Sequence, residues 1–532
     1  MYQPITTKSG ANMIGATTMM SPKGMDQRNL PQLLNVDYAQ NIQNYIITGT
    51  GQLEKRKGIA TLFTSIGNDA ITMCEKFSDT YYIFAYGTTV AGYDTTTGLV
   101  TTIKSDFTGT SFEGVKYGDY FFVTNKTDGL WRISNTLTIT DLSAVAPLAN
   151  VIAIFGARML LGDLSTDETA VTYSAPDDGT DPPFSIGANW TEGTLMTDAG
   201  SVYYRNGGKI TSIASLGQSL VVFAEDGKWA FQIVPENVGG VYYKDDSAIM
   251  YRQDMGGERG AITTPVGLIY ANEKGFWQLT SVGQDNIPFS DQETLTPVLL
   301  GDDYFNDIDA SNGSLIYDAK RGYIYFACAQ NSSTNNLVIA MNMNTSEKPI
   351  SRFTGLNVSR FFEDSHNIYA GSAVKSVLYK MFTGYDDEGL DIGTDYYQEL
   401  NMGSLETRKT LLGCYVQGFL SQSSTIKVKY DIYDTTGRPI TDKVKFSWTS
   451  QYNLNGSDGW GTAKWGGSAW GGDLDYGNLI ESFDGCRPTI RNYMRVSIHI
   501  TCSDTSPHII NWLSLQAKEK VAIRRRKMTK IS

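Results

Sequence analysis

The residue types that most often perform catalysis are scarce in this chain. Its 532 residues include only three histidines, His366, His499 and His508. His499 falls within a predicted strand and His508 follows a proline, so we expect both to be structural. The sequence has no nucleophile elbow, HExxH zinc motif, P-loop or DxDxDG calcium loop. These absences predict that the protein is not an enzyme and uses no cofactor.

One acidic stretch has a spacing similar to that of a calcium loop. It contains Asp307, Asp309, Ser311 and Gly313, with Asp318 further on. An EF-hand loop needs glycine at its sixth position, and here that position is an asparagine. A polar turn is therefore the favoured interpretation, with a surface calcium ion as the alternative.

The cysteines and the charge exclude other classes of protein. The five cysteines are odd in number and lack CxxC spacing, which predicts buried thiols rather than zinc or disulfides: Cys74, Cys328, Cys414, Cys486 and Cys502. The net charge of −12 argues against a nucleic-acid-binding surface. It suits a soluble protein or the wall of a channel through which a polyanion passes. No signal-peptide core is present, and the longest apolar run, 151–161, contains Arg158. We expect a protein made in a cytoplasm without a membrane span.

The β-strands that would position any functional site are predicted from a short pattern that repeats along the sequence. Seven stretches each place two β-favouring apolar residues before a small one, and these small residues recur at intervals of 38 to 62 residues. They are Ala85, Thr124, Gly162, Ala224, Ala271, Ala327 and Ala370. A four-stranded propeller blade takes about 40–50 residues. Three repeats add a matching Gly-x-Trp hairpin at Trp131, Trp229 and Trp277. The sequence therefore predicts an all-β protein with a seven-bladed β-propeller, whose small residues lie on the inner strands.

The predicted domains follow from composition along the chain. Residues 1–58 read as an extended N-terminal arm, 59–383 as the propeller, 384–518 as a β-sandwich-like C-terminal domain, and 519–532 as a basic tail. The arm is polar with scattered apolar residues, so we expect it to order only on assembly, against a neighbouring subunit or the ring above. Its closing basic cluster, residues 55–57, is interpreted as a solvated edge strand.

Two surface features are candidate partner-binding sites. A glycine-rich loop, residues 455–478, carries Trp460, Trp465 and Trp470, and three exposed indoles are costly in water. The loop is interpreted either as packed on its own domain or as a partner contact, because tryptophan is enriched at binding hot spots. The second feature is the basic run in the tail, Arg524, Arg525, Arg526 and Lys527, which is either a solvated tail or a docking site for an acidic subunit.

Two stretches of the sequence resemble a known family. The first is Leu34-Asn35-Val36-Asp37 with Gly51-Gln52-Leu53-Glu54-Lys55-Arg56-Lys57-Gly58. The second is Val377-Leu378-Tyr379-Lys380, then Gly389-Leu390-Asp391-Ile392, and Gly403 with Arg408-Lys409. Both are similar to segments of the tail hub or nozzle proteins of short-tailed bacteriophages, including the "packaged-DNA stabilisation" proteins.

The resemblance implies a structural virion protein without catalytic residues. The family implies a homo-oligomeric, six-fold ring below the portal and adaptor proteins, located in the phage tail after assembly in the host cytoplasm. Such a ring continues the DNA channel, retains packaged DNA without sequence-specific binding, and seats a tail needle, spike or fibre. The alternative is a carbohydrate-binding or carbohydrate-cleaving propeller. Asp and Glu are scattered over the predicted loops, so the sequence neither establishes nor excludes a glycosidase carboxylate pair.

Overall fold

The protein is built from β-strands throughout the part of the chain that the structure describes. The computed structural model describes residues 15–20, 23–26, 37–204, 208–217, 219–231, 233–238, 241–245, 250–252, 261–272, 274–280, 292–295, 307–400, 408–421, 424–433, 438–449, 479–486, 490–493 and 495–520. Within these ranges the helical element is a single 3₁₀ turn, Gly187–Trp190. The predicted all-β class is confirmed.

Seven four-stranded antiparallel units, here called blades 1 to 7, account for most of the described chain; blades 1 to 5 are separate sheets, and blades 6 and 7 are the two ends of one larger sheet. Blade 1 contains Ile71–Lys76, Tyr81–Tyr86, Thr89–Asp94 and Val100–Lys104. Blade 2 contains Glu113–Tyr117, Tyr120–Asn125, Gly129–Ser134 and Ile139–Asp141. Blade 3 contains Ala149–Phe155, Arg158–Leu164, Ala170–Tyr173 and Gly200–Tyr203. Blade 4 contains Ile210–Leu216, Ser219–Ala224, Gly227–Phe231 and Met250–Arg252. Blade 5 contains Ile262–Thr264, Gly267–Asn272, Gly275–Leu279 and Gln292–Thr294. Blade 6 contains Ile308–Asp318, Tyr323–Gln330, Leu337–Asn342 and Ile350–Thr354. Blade 4 also carries the hairpin Val234–Val238 and Val241–Asp245 between its last two strands.

The two ends of the propeller meet in blade 7, which closes the ring. Its first three strands are Val358–Asp364, Asn367–Ser372 and Leu378–Met381. Its fourth strand, Ile59–Thr61, comes from the beginning of the propeller and pairs antiparallel with the third, with Ala60 opposite Lys380. The first strands of consecutive blades contact each other in order, and that of blade 7 contacts that of blade 1. The predicted seven-bladed propeller is therefore confirmed.

The seven small residues of the sequence repeat occupy equivalent places. Each lies on the second strand of its blade, one strand further from the axis than the innermost position that we had expected. Gly162 shows why they are small: a Cβ there would lie 3.0 Å from Cγ2 of Ile210, on the first strand of the next blade. A hydrophobic cluster fills each interface between neighbouring blades, so every blade covers the next.

The C-terminal domain is a two-layer sandwich. One sheet contains Arg408–Ser421, Leu479–Cys486, Ile490–Tyr493 and His508–Lys520, with Gly15–Met20, Tyr45–Ile47 and Leu53–Lys55 from the N-terminal region. The other contains Leu390–Leu400, Thr425–Tyr433, Pro439–Thr449 and Arg495–Asp504. Thr425–Tyr433 alternates exposed and buried residues, so one of its faces contributes to the core between the sheets. The predicted sandwich is confirmed.

The N-terminal segment joins the two domains of its own chain. Asn41–Gln43 pairs in parallel with the outer strand of blade 6, at Arg352, and antiparallel with the sandwich strand Leu390–Leu400. Nearby, Gly24–Met25 pairs in parallel with Tyr38–Ala39, and Asp386–Asp387 pairs with Leu390–Leu400. Our prediction that residues 1–58 order only against a neighbouring subunit is wrong for 37–58, because Ile42, Tyr45 and Leu53 are fully buried within the chain. Leu33, Leu34 and Val36 lie outside the described residues.

None of the described helical segments is long and apolar enough to cross a membrane. The apolar run 151–161, which was the best candidate in the sequence, instead forms the hairpin between the first two strands of blade 3.

Candidate functional sites: the interdomain joint and the axial cavity

The basic cluster at the end of the N-terminal segment lies inside the protein. Lys55 and Arg56 are both 0% exposed. Our interpretation of this cluster as a solvated edge strand is therefore wrong. Burying a charge is costly unless the charge is paired and fully hydrogen-bonded. The partners of Lys55 and Arg56 therefore show which parts of the protein this segment holds together. We call this region the interdomain joint; it comprises residues 41–61, 386–391 and 502–508.

Arg56 makes a bidentate ion pair with Asp387, just after the propeller. Its Nη1 and Nη2 donate to Oδ1 and Oδ2 of Asp387 at 2.9 and 2.5 Å. Nε donates to Oδ1 of Asn44 at 2.8 Å, and Nη2 also reaches the carbonyl of Thr354 in blade 6 at 3.2 Å. The guanidinium lies over the ring of Phe353, 5.7 Å from its centroid. Arg56 thus holds together the N-terminal segment, blade 6 and the start of the sandwich.

Gly58 is required where the segment passes the turn at 386–389. A Cβ at Gly58 would lie 1.7 Å from the carbonyl oxygen of Asp386, which is an impossible contact. The next residue, Ile59, begins the closing strand of blade 7. The turn itself has positive φ angles at Glu388 (55°) and Gly389 (83°). The acidic stretch 386–389 is therefore the turn of a hairpin that packs against the N-terminal segment.

Lys55, at the end of a strand in one sheet of the sandwich, binds Asp504 at the end of a strand in the other. Its Nζ donates to Oδ1 of Asp504 at 3.0 Å, to the carbonyl of the same residue, and to the carbonyl of Ser506 at 3.2 Å. These three acceptors match the three donors of an ammonium group. Burial opposes ionisation of Asp504, but hydrogen bonds from Cys502 and Lys55 outweigh it and lower the pKa of this carboxyl.

Beside this pair lies His508, whose imidazole is kept neutral. Burial, followed by the nearby positive charge of Lys55, lowers the pKa of His508 to about 3. Its Nε2 lies 3.0 Å from the hydroxyl of Tyr45, which in turn accepts a hydrogen bond from Thr394 at 3.1 Å. The predicted structural role of His508 agrees with this geometry.

Cys502, Asp504 and His508 place their ligand atoms within 4.8 Å of one another, the one such group among the described residues. A metal ion at this point would have to approach Asp504 where the ammonium of Lys55 already lies, at 3.0 Å from Oδ1. The positive charge that neutralises Asp504 is therefore supplied by the chain itself. The residues fit a buried ion pair better than a metal centre.

The second candidate site is a cavity on the propeller axis. It has a volume of about 250 Å³ and is lined by the first strands of six blades. Its charged lining residues are Glu75 in blade 1, Glu113 in blade 2 and Arg360 in blade 7. Arg360 is oriented by a hydrogen bond from Nη1 to the carbonyl of Gly313 at 2.9 Å. Carboxylates and a guanidinium thus share one water-accessible cavity.

Glu75 is the titratable group that the sequence analysis missed. Its side chain is open to the cavity, yet protein surrounds it on all sides. This enclosure, followed by the like charge of Glu113, raises the pKa of Glu75 to about 8, while Arg360 opposes the shift. A carboxyl group that titrates near neutral pH is typical of binding and catalytic sites as well as of structural ones. No motif in the sequence marks it, because Glu75 and Glu113 meet only through the ring of blades.

The other sequence-predicted residues have structural surroundings. His499 lies on a sandwich strand with Nε2 2.6 Å from Oδ1 of Asp395, while His366 is an exposed turn residue. Four cysteines are buried thiols as predicted, namely Cys74, Cys328, Cys414 and Cys502. The calcium-like stretch from Asp307 runs into a bulged strand of blade 6, in which Oδ1 of Asp309 accepts from the backbone of Ser311 at 2.9 Å. Asp318 pairs with Arg321 at 2.8 Å instead of pointing to a shared ligand site.

The glycine-rich loop and the basic tail were predicted from the sequence to bind partners. The glycine-rich loop with Trp460, Trp465 and Trp470 lies outside the described residues, and so does the basic tail from Arg524 to Lys527. Their role in partner binding stays a prediction.

The sequence matches no protein-family model and no curated protein sequence. Similar solved structures include the computationally designed Ika8 protein, with 11% identity and a TM-score of 0.36 over 60% of this chain and 99% of that one. U3-55K is similar at 8% identity and a TM-score of 0.39, over 61% of this chain and 98% of that one. The RRP9 WD40 repeats are similar at 7% identity and a TM-score of 0.40, over 62% and 99%. These similarities are too low to carry a functional argument, and the fold assignment rests on the seven blades themselves.

Proposed function

We propose that this protein is a structural subunit of a bacteriophage tail, which assembles with further copies of itself into a ring that continues the DNA channel. In this role it retains packaged DNA, binds the portal and adaptor proteins on one side, and seats a needle, spike or fibre on the other. No catalytic step is part of the proposal.

The observation that carries the proposal is that the two family-like stretches meet at one joint. Residues 51–58 and 377–392 are more than 300 positions apart in the chain, yet Arg56 binds Asp387 and Ala60 pairs with Lys380. Gly58 packs against Asp386 in the same place. The segments that carry most of the resemblance to tail nozzle proteins therefore lie where the propeller joins the sandwich.

A joint of this kind favours a mechanical role. Each blade is covered by its neighbours, and the sandwich is held to blades 6 and 7 by main-chain pairing and by the buried Arg56–Asp387 pair. A two-domain subunit that cannot hinge easily at this point transmits force without changing shape, as a ring under the pressure of packaged DNA requires.

The DNA passage in this proposal lies between subunits. The axial cavity of the propeller holds only about 250 Å³. B-form DNA, whose major groove alone is about 12 Å wide, cannot thread such a cavity. A ring of copies can enclose a wider lumen, and the net charge of −12 would keep the duplex from adhering to its wall.

Sedimentation velocity and negative-stain electron microscopy test this proposal. The purified full-length protein is examined alone and with the portal and adaptor proteins of the same phage. We expect a closed ring, six-fold by the family resemblance, that co-sediments with the portal–adaptor assembly. A protein that stays monomeric in every mixture, and that antibodies fail to detect in purified virions, would overturn the proposal.

The glycine-rich loop gives a second measurement on the same assembly. We expect a Trp460→Ala, Trp465→Ala, Trp470→Ala triple variant to fold and yet to be lost from particles, because three indoles contribute a large contact area. Normal incorporation would remove the loop from the interface. A variant that fails to fold would show that the loop belongs to the sandwich core.

A further inference from the structure

The strand pairing of the sandwich places two cysteines directly opposite each other. Cys414 lies on Arg408–Ser421, a strand in the middle of its sheet. Cys486 is the last residue of Leu479–Cys486, which pairs antiparallel beside that strand. In this register Cys414 is the partner of Cys486. The fold thus brings together two cysteines that are far apart in the sequence.

The register is regular over the whole length of the shorter strand. It runs without a shift from Cys414 opposite Cys486 to Ser421 opposite Leu479. Residues in direct register share a face of the sheet, whereas a slip of one residue would place them on opposite faces. Cys414 belongs to the core between the two sheets and is 0% exposed. Both cysteines therefore occupy the face of the sheet that covers this core.

The spacing of antiparallel strands suits a disulfide between these two positions. The Cα atoms of directly opposite residues are about 4.5 or 5.5 Å apart, depending on whether the two residues exchange main-chain hydrogen bonds. Disulfides join cysteines whose Cα atoms are about 4.4–6.8 Å apart. Either kind of pair falls within this range, so the bond can form without a change in strand pairing.

The cysteines of the other described strands have no cysteine opposite them. Cys74 pairs with Phe84, Cys328 with Leu337 and Cys502 with Thr394. Among the registers of the described strands, Cys414 and Cys486 are the one cysteine pair. Their spacing along the chain gave no signal of it, because strand register is set by the tertiary fold.

We propose that Cys414 and Cys486 are an oxidation site, which forms a reversible cross-strand disulfide when the protein meets a small-molecule disulfide such as oxidised glutathione. This site does not depend on the tail function proposed above. It extends the sequence prediction of buried thiols, which holds for the reduced protein.

The reaction is two successive thiol–disulfide exchanges. The thiolate of Cys486, at the end of an edge strand, attacks one sulfur of the oxidant, forms a mixed disulfide and releases one small thiolate. The thiolate of Cys414 then attacks the sulfur of Cys486 and releases the second small thiolate. The two protons lost by the protein convert these thiolates to thiols. Two protein thiols are oxidised to one disulfide, and one small-molecule disulfide is reduced to two thiols.

The bond would fasten an edge strand to the centre of its sheet. Leu479–Cys486 follows directly after the glycine-rich loop, residues 455–478. The described strands pair with it on one side only, at Arg408–Ser421. A covalent link holds such a strand more firmly than main-chain hydrogen bonds alone, and it also restricts the unfolded chain. The oxidised protein should therefore be the more stable form.

Peptide mapping of the full-length protein tests the site. The reduced protein is equilibrated with glutathione mixtures of increasing oxidised share, and iodoacetamide blocks the remaining thiols before mass spectrometry. A second sample is refolded from urea in the same mixtures, so that the burial of Cys414 does not prevent the reaction. We expect a peptide that links Cys414 to Cys486 and that disappears on treatment with dithiothreitol. Full alkylation of both cysteines in both samples, or a link from Cys486 to another cysteine, would overturn the proposal.

Three variants locate the effect of oxidation. Cys486→Ala and Cys414→Ala each remove one sulfur of the pair, and Cys486→Ala, at the end of an edge strand, carries the test if the buried variant does not fold. Cys328→Ala is the matched control, because Cys328 is also a 0% exposed strand residue but lies opposite Leu337.

The readouts are urea unfolding and amide hydrogen exchange, each measured on oxidised and reduced protein. In the wild type and in Cys328→Ala, oxidation should raise the urea midpoint and slow exchange in Leu479–Cys486. In Cys486→Ala neither quantity should change. An oxidation-dependent shift that persists in Cys486→Ala would assign it to another thiol and refute the site.

Discussion

The interdomain joint and the axial cavity both contain buried or enclosed charges, but the charges of the joint are paired within the chain and those of the cavity face water. At the joint, Lys55 and Arg56 are 0% exposed, and each forms an ion pair within the chain, with Asp504 and Asp387. In the axial cavity, Glu75 is enclosed yet open to water, and two carboxylates and one guanidinium line the same space. The charges of the joint are thus paired within the protein, whereas those of the cavity face water.

This difference separates structural charges from charges that are available to a ligand. A buried ion pair whose donors and acceptors are all used has nothing left to offer to another molecule, and its removal damages the fold. A charged group facing water in a cavity costs the fold less and can interact with what enters. Removing charge should therefore lower the stability at the joint and leave it unchanged, or raise it, in the cavity.

The largest effect is expected for Arg56→Met. The substitution leaves Asp387 buried without its cation, which typically costs about 3–5 kcal/mol. Urea unfolding followed by tryptophan fluorescence measures the loss. The matched control is Lys375→Met, which breaks the pair with Glu388 at 2.7 Å, where both side chains are about 30% exposed. We expect that change to cost less than about 1 kcal/mol. Similar losses for the two variants would contradict the structural role assigned to Arg56.

Asp504→Asn tests the other ion pair of the joint. It weakens a charge-assisted hydrogen bond to Lys55, so we expect a loss of about 1.5–3 kcal/mol at neutral pH. The folded-state pKa of Asp504 is lowered, so its contribution is present above the ordinary carboxyl pKa and disappears as the pH falls through the folded value. The gap between wild type and variant should therefore close in acid, below about pH 4. A gap that does not change with pH would show that Lys55 contributes by packing alone.

Gly58→Ala examines the close approach at the joint without altering any charge. The added methyl group would overlap the carbonyl of Asp386, so the closing strand of blade 7 must shift, at a cost of about 1–3 kcal/mol. Gly49→Ala is the control, since a Cβ there meets nothing within 4 Å. Thermal unfolding compares the two variants. If both unfold at the wild-type temperature, the contact at Gly58 is not as tight as the structure shows.

The smallest effect, and the one of opposite sign, is expected for Glu75→Gln in the cavity. Enclosure raises the folded-state pKa of Glu75 to about 8, so the wild type loses stability as the pH rises from the ordinary carboxyl range to 8. The glutamine does not ionise and escapes this loss. We expect a relative gain of about 1 kcal/mol at pH 8 over pH 5, reduced by the water in the cavity. A variant less stable than wild type at pH 8 would mean that Glu75 is a paired structural charge, like those of the joint.

The sequence predicted well those features that repeat along the chain. The small residue that ends each apolar stretch recurs because every blade has a second strand against which the next blade packs, as at Gly162 and Ile210. The hairpin turns were predicted equally well from their glycines. Gly129 and Gly275 have φ angles of 80° and 124° in the hairpins that precede Trp131 and Trp277. Local patterns of this kind are fixed by neighbours in sequence, and they require no knowledge of what lies opposite.

The sequence analysis failed where a residue's partner lies far away along the chain. Lys55 and Arg56 have the composition of a solvated strand, and the identity of their partners, Asp504 and Asp387, could not be known before the fold closed. Glu75 likewise gave no signal, because a carboxyl group acquires an unusual pKa only from what surrounds it in space.

The amino-acid sequence alone therefore determined the all-β class, the seven blades and the sandwich, since each follows from local periodicity and turn residues. Only the tertiary structure decided which charges are structural and which face a cavity. The physical reason is that the free energy of a charge depends on burial and on partners, and both are set by segments that meet only when the ring of blades closes on the N-terminal strand Ile59–Thr61.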